Sequence, residues 1–306
     1  MESEDPSVVN RPHNERWFYR VMYSASTFDI VCRLQRLLGR RFYRVSAGVI
    51  AWVYAKTQIG VRQTVLQNLR LLKTSGVSDA DATKVFVNFA QAIADYFSLA
   101  RTSVDAADAW CVERLGRDHL DEARRHGRGA VLATGHYGFF EFGALLIGRM
   151  GWEISVVTMS EPTPALTDWR AAYRGRWGAK TIEIGSDAFS SLRVMKALES
   201  GQFAAMLMDR PFGDFAVEVG LPGGVISFSK SPALIAYLSD APLVPVVVAA
   251  LGRGKYKMIA MPCIWPRRLG LPRDEAVTEA TRQAARALVD AFAEDITQWY
   301  QFARIQ

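Results

Sequence analysis

From about residue 128 onward, short apolar runs alternate with helical repeats. GAVLATG, EISVVTM, KTIEIG, FAAMLMD and PLVPVVV have the length and near-unbroken apolarity of strands covered on both faces. Between them, FEFGALLIGRM, PALTDWRAAYRGRW, FSSLRVMKALES and KSPALIAYLS space their apolar positions at helical intervals. That order predicts an α/β core, a mixed and largely buried sheet flanked by helices. A long amphipathic helix over 278–303 is expected to close the chain. The first hundred residues read as helices alone. One of them starts at Ser78, with Asp79 and Asp81 favouring its N-terminal dipole, and carries Phe86, Phe89, Ile93 and Phe97 at helical spacing.

An earlier helix is more unusual. At about 100° per residue, Arg33, Arg36, Arg40 and Arg44 share one face, while Val31, Leu34, Leu38, Phe42 and Val45 share the opposite one. A basic amphipathic helix suits an anionic membrane surface. It equally suits a core-packed helix whose cations are solvated. Gly39 in its middle costs the helix ~1 kcal/mol. With no repeat, low-complexity tract or Pro/Gly-rich linker, the chain divides into a polar leader (1–14) and a single domain (15–306). The domain is expected to comprise a helical N-terminal layer (15–105) and the α/β core (106–306).

Composition narrows this picture only a little. The 37 basic and 31 acidic residues give +6, an excess compatible with anionic lipid, an acidic carrier or phosphorylated ligands. Cys32, Cys111 and Cys263 are far apart and odd in number, which argues against a disulfide framework and for a reducing compartment. The leader is polar and acidic, unlike a signal or transit peptide. The uncharged run between Arg44 and Lys56 has eleven residues, short of the ~20 needed to span a bilayer. Any membrane contact is therefore expected to be peripheral. The basic residues are not interleaved with a nucleic-acid recognition module, so no nucleic-acid partner is expected.

Chemistry concentrates at one histidine. His13 lies in the leader, and His119 and His126 belong to the charged helix RDHLDEARRHG. His136 instead follows the strand GAVLATG and precedes an apolar helix, in ATGHYGFFEFGALL. A strand end opening into a helix is where α/β folds bind ligands. Gly135 and Gly138 allow a close approach to the backbone there. Glu141 follows five residues later. On one regular helix that spacing separates the two side chains by about 140°. They meet only if His136 occupies a non-helical turn. A carboxylate on one imidazole nitrogen would fix the tautomer and free the other nitrogen as a base. A buried histidine satisfied by a nearby acid is the structural alternative. No His/Cys/Asp/Glu set has metal-ligand spacing, so no metal is expected, and the G-x-S-x-G elbow of serine hydrolases is absent.

GHYGFFE matches the H-x-x-x-x-D/E motif of the lysophospholipid acyltransferase superfamily, in its glutamate form. The flanking blocks are NLRLL (68–72), LGRDHLDEARRHGRGAVLATGH, TDWRAAYRGRWGAK, MKALESGQFAAMLMDRPFG and VEVGLPGGVISFSKSPALIAYLSDAPLVPVVV. Their order resembles the bacterial lipid A secondary (lauroyl/myristoyl) acyltransferases and the related mycobacterial phosphatidylinositol mannoside acyltransferases, over roughly residues 20–300. The chain departs from the lipid A enzymes in two places. It has no N-terminal spanning pattern, and its loop GLPGG carries fewer aromatics.

The resemblance implies transfer of a fatty acyl group from an acyl-CoA or acyl-carrier-protein thioester to a hydroxyl of a lipid or glycolipid, with no other cofactor. It implies His136 as general base and Glu141 as the residue that orients it. Arg174 or Arg176 would bind donor or acceptor phosphate. Asp209 and Arg210 would close a strand at the same edge, with Glu218 nearby. It also implies a peripheral position on the cytoplasmic face of the inner or plasma membrane, against anionic lipid. A non-catalytic lipid-binding protein of the same fold is the alternative.

Overall fold

Seven of the strands assemble into one sheet, and their order decides which loops meet. The structure, a computed structural model, describes residues 25–161, 163–185, 189–211 and 213–305. The leader lies outside the described residues, as do the side chains of Leu34, Arg36 and Leu38. The described residues begin with helices α1 (Ala25–Leu38), α2 (Arg40–Thr57), α3 (Ile59–Leu72), α4 (Asp79–Leu99) and the short α5 (Val104–Asp108). The core follows as β1 (Cys111–Leu115), α6 (Arg117–Arg125), β2 (Ala130–Thr134), α7 (Phe142–Arg149), β3 (Ile154–Met159), α8 (Pro164–Gly175), β4 (Ala179–Ile184), α9 (Ser190–Glu199) and β5 (Phe203–Leu207). It ends with the hairpin β6 (Ala216–Leu221) and β7 (Gly224–Ser229), α10 (Ser231–Leu238), β8 (Leu243–Gly252), β9 (Lys255–Ala260) and α11 (Arg273–Glu294).

The sheet runs β1-β9-β8-β2-β5-β3-β4. Every pairing is parallel except β8 with β9, so the sheet is mixed, as the alternation predicts. The five apolar runs are β2, β3, β4, β5 and β8. The edge strand β1 and its neighbour β9 were not expected. Both are amphipathic and charged, CVERL and KYKMIA, and lack the apolar continuity of the central strands. Helix α4 starts where expected: Ser78 and Asp81 form a reciprocal capping box.

The closing helix differs from expectation. It ends at Glu294 rather than continuing to 303. Asp295 caps the next turn, accepting from the Thr297 N–H at 3.1 Å. A short 3-10 turn over Ile296–Gln298 follows, and Trp299, Tyr300 and Gln301 beyond it are all buried.

The basic helix is also corrected. It breaks at Gly39, whose φ of +73° suits glycine, and α2 turns Arg40 and Arg44 toward the protein interior while Arg41 stays exposed. Asp95 of α4 is fully buried. Arg40 Nε donates to its Oδ1 at 2.7 Å, and Arg44 and the Tyr256 hydroxyl both donate to its Oδ2. Gly48, Ala51 and Ala55 share the buried face and let α2 approach α4 closely; a Cβ on Gly48 would stand 3.0 Å from Gln91 Nε2. The apolar face therefore points outward. Within α2 the two faces are opposed as the spacing predicts, but their burial is reversed, because a buried carboxylate on a neighbouring helix outcompetes water for the guanidinium groups of Arg40 and Arg44; on α1, Arg33 is exposed and Val31 packs against the core.

Arg44→Met should accordingly cost on the order of 3 kcal/mol, the usual penalty for stripping a partner from a buried charge. Arg33, which is exposed, should change stability by less than about 0.5 kcal/mol when replaced by Gln. Urea titration of both variants checks the contrast.

Candidate active site

β2 and β5 are parallel neighbours in register, Thr134 opposite Leu207. His136 and Asp209 each sit two positions past those paired ends, on the carboxyl edge where open α/β sheets collect ligands. The register brings them together. His136 Nδ1 lies 2.8 Å from Asp209 Oδ1, and the His136 backbone N–H donates to Asp209 Oδ2 at 2.9 Å. Two glycines make room for this. A Cβ on Gly135 would stand 2.6 Å from Phe292 Cζ and 3.1 Å from the Asp209 carboxyl. Gly138 has φ +57°, and its Cβ would fall 2.0 Å from the Val248 carbonyl oxygen.

The C-terminal segment closes the arrangement. Tyr300 N–H donates to the His136 carbonyl at 2.8 Å, and Gly138 N–H donates to Gln298 at 2.9 Å. Trp299 Nε1 and Gln301 Nε2 donate to Asp209 Oδ2 at 3.0 and 2.9 Å. Arg210 Nε in turn holds Gln301 Oε1 at 2.9 Å. Asn68, of the NLRLL block on α3, donates to the carbonyls of Gln301 and Ala303 at 2.9 and 2.7 Å. Burial alone would push the Asp209 carboxyl up. His136 beside it, the hydrogen bonds to it and the Arg210 charge outweigh burial and hold it below the ordinary carboxylate range. An ionised Asp209 takes the proton of His136 Nδ1 as a hydrogen bond, so Nε2 carries the lone pair. Among the described residues Nε2 has no protein partner, and the ring packs edge-on to Phe140 at 5.4 Å.

Glu141 is not the partner of His136. It precedes α7, and its carboxylate is taken by α8. Arg174 grips it with two nitrogens, Nε at 3.2 Å and a terminal nitrogen at 2.8 Å, while Arg170 adds a third bond at 2.8 Å. Arg170 also pairs with Glu161. Two carboxylates thus balance two guanidinium groups in a buried cluster. Burial opposes the Glu141 charge, yet Arg174 and Arg170 beside it lower its carboxyl to about 2. Three arginine bonds leave it no reason to turn toward the imidazole.

Both groups open on one cavity of about 220 Å³. Its floor is one face of the sheet: Leu132 and Thr134 of β2, Ile154 and Val156 of β3, Ala205 and Leu207 of β5 alternate along their strands. Gly143, Ala144 and Ile147 of α7 form its roof. Small residues on a helix over a sheet leave space that larger ones would fill. His136, Glu141, Arg170 and Arg174 stand at the polar end of this apolar slot.

The structure separates the remaining sequence candidates. Arg174 is buried in the cluster, whereas Arg176 caps α8, is exposed, and lines a different groove with Asp29, Arg101 and Trp169. Glu218 is exposed on β6 opposite Ser227 and does not line the cavity. Arg170, Trp299 and Gln301 were not singled out from sequence. Arg170 precedes Arg174 by one helical turn, the spacing that puts two side chains on one face, and that signal was available. Trp299 and Gln301 carried none, because the closing helix was read through them. Among the described residues no three His, Cys, Asp or Glu side chains group as metal ligands.

A sheet-edge imidazole with a free nitrogen over an apolar slot suits an enzyme that brings a polar reacting group and a hydrocarbon chain together. The family comparison gives that class its identity. The family model for bacterial lipid A biosynthesis acyltransferases matches residues 15–304, and the chain belongs to that family. It is an acyltransferase that transfers to a lipid acceptor. No individual curated protein matches the chain.

Two measurements check this geometry. A carboxyl lowered from 4.5 to about 2 on folding stabilises the fold above the higher value and loses that contribution as the pH falls through the window. The thermal midpoint should therefore drop between about pH 4.5 and 2, and Glu141→Gln, less stable at neutral pH, should show a shallower drop there. Trp299→Phe keeps the ring and deletes one hydrogen bond to Asp209. The acid limb of the rate profile should move upward in pH, with turnover reduced roughly tenfold, the scale of one lost charge-assisted bond.

Proposed function

We propose that the chain moves a fatty acyl group from a thioester, carried by coenzyme A or an acyl-carrier protein, to a hydroxyl of a lipid or glycolipid, with His136 as general base and Asp209 as its partner. One observation carries the reading: His136 Nδ1 is bonded to a buried carboxylate, which leaves Nε2 free over an apolar cavity. Nε2 removes the acceptor hydroxyl proton as the oxygen attacks the thioester carbonyl. The tetrahedral intermediate collapses, the thiolate leaves, and Nε2 returns the proton to its sulfur. No acyl-enzyme forms. Asp209 stays ionised throughout and stabilises the imidazolium that exists between the two transfers.

The slot between α7 and the sheet is assigned to the hydrocarbon chain, which needs no polar partners. Glu141, Arg170 and Arg174 form the rigid polar rim. Arg174, rather than Arg176, is the arginine of the reaction site, and its bidentate grip on Glu141 is one that lysine cannot reproduce. The acceptor is lipid, so the enzyme works at a membrane. Among the described residues no helix is long and apolar enough to cross one, and the association is assigned as peripheral, on the cytoplasmic face.

His136→Ala should retain the fold and lower acyl transfer by about 10²–10⁴-fold, the range for a lost general base. Asp209→Asn should approach the same loss by favouring the wrong tautomer. The assay is mass detection of acylated lipid from purified protein, acyl-CoA and acyl-carrier donors, and a lipid extract. Undiminished transfer by His136→Ala overturns the assignment. Lipid binding with no turnover of any thioester would favour the non-catalytic alternative.

A further inference from the structure

Helix α2 is built inside out. Its buried face carries Arg44, Gly48, Ala51 and Ala55. On the opposite face Phe42, Val45, Val49, Ile50, Trp52 and Val53 are each at least half exposed, Ile50 to 69%. At about 100° per residue, Phe42, Val45, Val49, Trp52 and Val53 fall within a stripe roughly 100° wide, and Ile50 lies about 60° outside it, one turn from Val53. Monomeric soluble surfaces seldom present so many large apolar side chains side by side. Ile50 and Tyr54 also border an apolar groove of about 630 Å³ between α2 and α4, lined by Val31, Phe86, Ile93 and Phe302. The stripe and the groove make one continuous apolar surface.

Charge identifies what covers it. Between Asp29 and Asp79 the sequence has no acidic residue, but nine basic ones. Arg40 and Arg44 are spent on Asp95. Arg41 and Lys56 are exposed on the same helix, and Lys56, at its C-terminal end, stands 5.6 Å over the Trp52 ring. An apolar stripe with an interfacial tryptophan and a border of cations, free of acids, matches a bilayer leaflet rich in anionic lipid. A protein partner of the usual mixed charge would find no acidic residue in this stretch to pair with its own cations.

We infer that the outward face of α2 inserts into an anionic leaflet and is the surface by which the enzyme reaches its lipid acceptor. This rests on the reading of the chain as a membrane-surface acyltransferase and adds the surface and its mode. The contact is apolar insertion bordered by cations, in place of adsorption through an arginine face.

The test uses the full chain and vesicles of phosphatidylcholine with phosphatidylglycerol. Val49→Glu/Val53→Glu places two carboxylates in the stripe without touching the core. Vesicle partitioning should fall at least about tenfold, with the thermal midpoint and acyl transfer to a detergent-dispersed acceptor unchanged. Val49→Leu/Val53→Leu should bind as well or better, and native binding should weaken but persist at high salt. In a second measurement that needs no disruptive change, spin-labelled lipid should quench tryptophan emission, and Trp52→Phe should remove a measurable part of that quenching. Unaltered partitioning of the glutamate variant overturns the inference, as does binding abolished by salt alone or quenching indifferent to Trp52. If the glutamates instead convert a dimer to a monomer and leave vesicle binding intact, the face joins two copies and the inference fails. Absence of transfer to the dispersed acceptor by the unaltered chain would count against the acyltransferase chemistry, whatever the vesicles show.

Discussion

Asp209 is a carboxylate with no access to water, and it must remain charged for the site to exist. A buried unpaired charge is among the most expensive features a fold can carry. Four donors meet it: the backbone and ring of His136, the Trp299 indole and the Gln301 amide. Four is the full accepting capacity of a carboxylate. These donors come from a loop after β2 and from the chain's C-terminal segment, and the acid itself follows β5. The demand for charge satisfaction is met because the closing helix stops at Glu294 and, after a short turn over Ile296–Gln298, Trp299 and Gln301 reach the acid. Asn68 on α3 and Asn88 on α4, which donates to the Thr297 carbonyl at 3.1 Å, fasten that segment from the helical layer. The N-terminal helices are thus tied to the candidate site through hydrogen bonds to the segment that meets this carboxylate.

A second buried carboxylate, Glu141, stands close by and obeys the same rule with different partners. It is neutralised by two guanidinium groups on α8. The two acids divide the work. One is matched to an imidazole, and the other to two guanidinium groups. The cluster of Glu141, Glu161, Arg170 and Arg174 brings no net charge to the mouth of the cavity. It supplies instead a fixed rim whose side chains hold each other in place, so α7 and α8 are locked together over the apolar slot.

Much of this was legible in the sequence, and the losses have common causes. The central strands β2, β3, β5 and β8 are largely buried on both faces and announced themselves as apolar runs, as did the half-buried edge strand β4. The strands β1 and β9 lie at or next to the sheet edge, have one face toward polar surroundings, and read as nothing in particular. His136 stood out because a strand, a turn and a helix meet there with a glycine on either side of the turn. Its partner did not, since a parallel register brings together residues 73 positions apart, and spacing along the chain is silent about that. Glu141 was the nearer acid in sequence and was therefore favoured. The geometric objection to an i, i+5 pair was real, and a non-helical turn was invoked to meet it; the turn exists, yet it delivers His136 to Asp209.

The α2 helix shows the same limitation in another form. Periodicity separates two faces of a helix with confidence but does not say which is inside. That choice depends on what the neighbour offers. A neighbour with a leucine-lined surface would have drawn the apolar stripe inward and left the arginines in water. Here α4 offers Asp95, and α2 offers Gly48, Ala51 and Ala55 on the same face as its arginines. Small residues allow close helix approach, and a buried acid rewards the guanidinium groups that reach it, so the polar face packs. The large apolar side chains are then left outward, where they are costly to a protein alone in water and useful to one that acts on lipids. The electrostatic demand of one buried aspartate, Asp95, fixes which face of α2 packs inward, as that of Asp209 fixes where His136 is held.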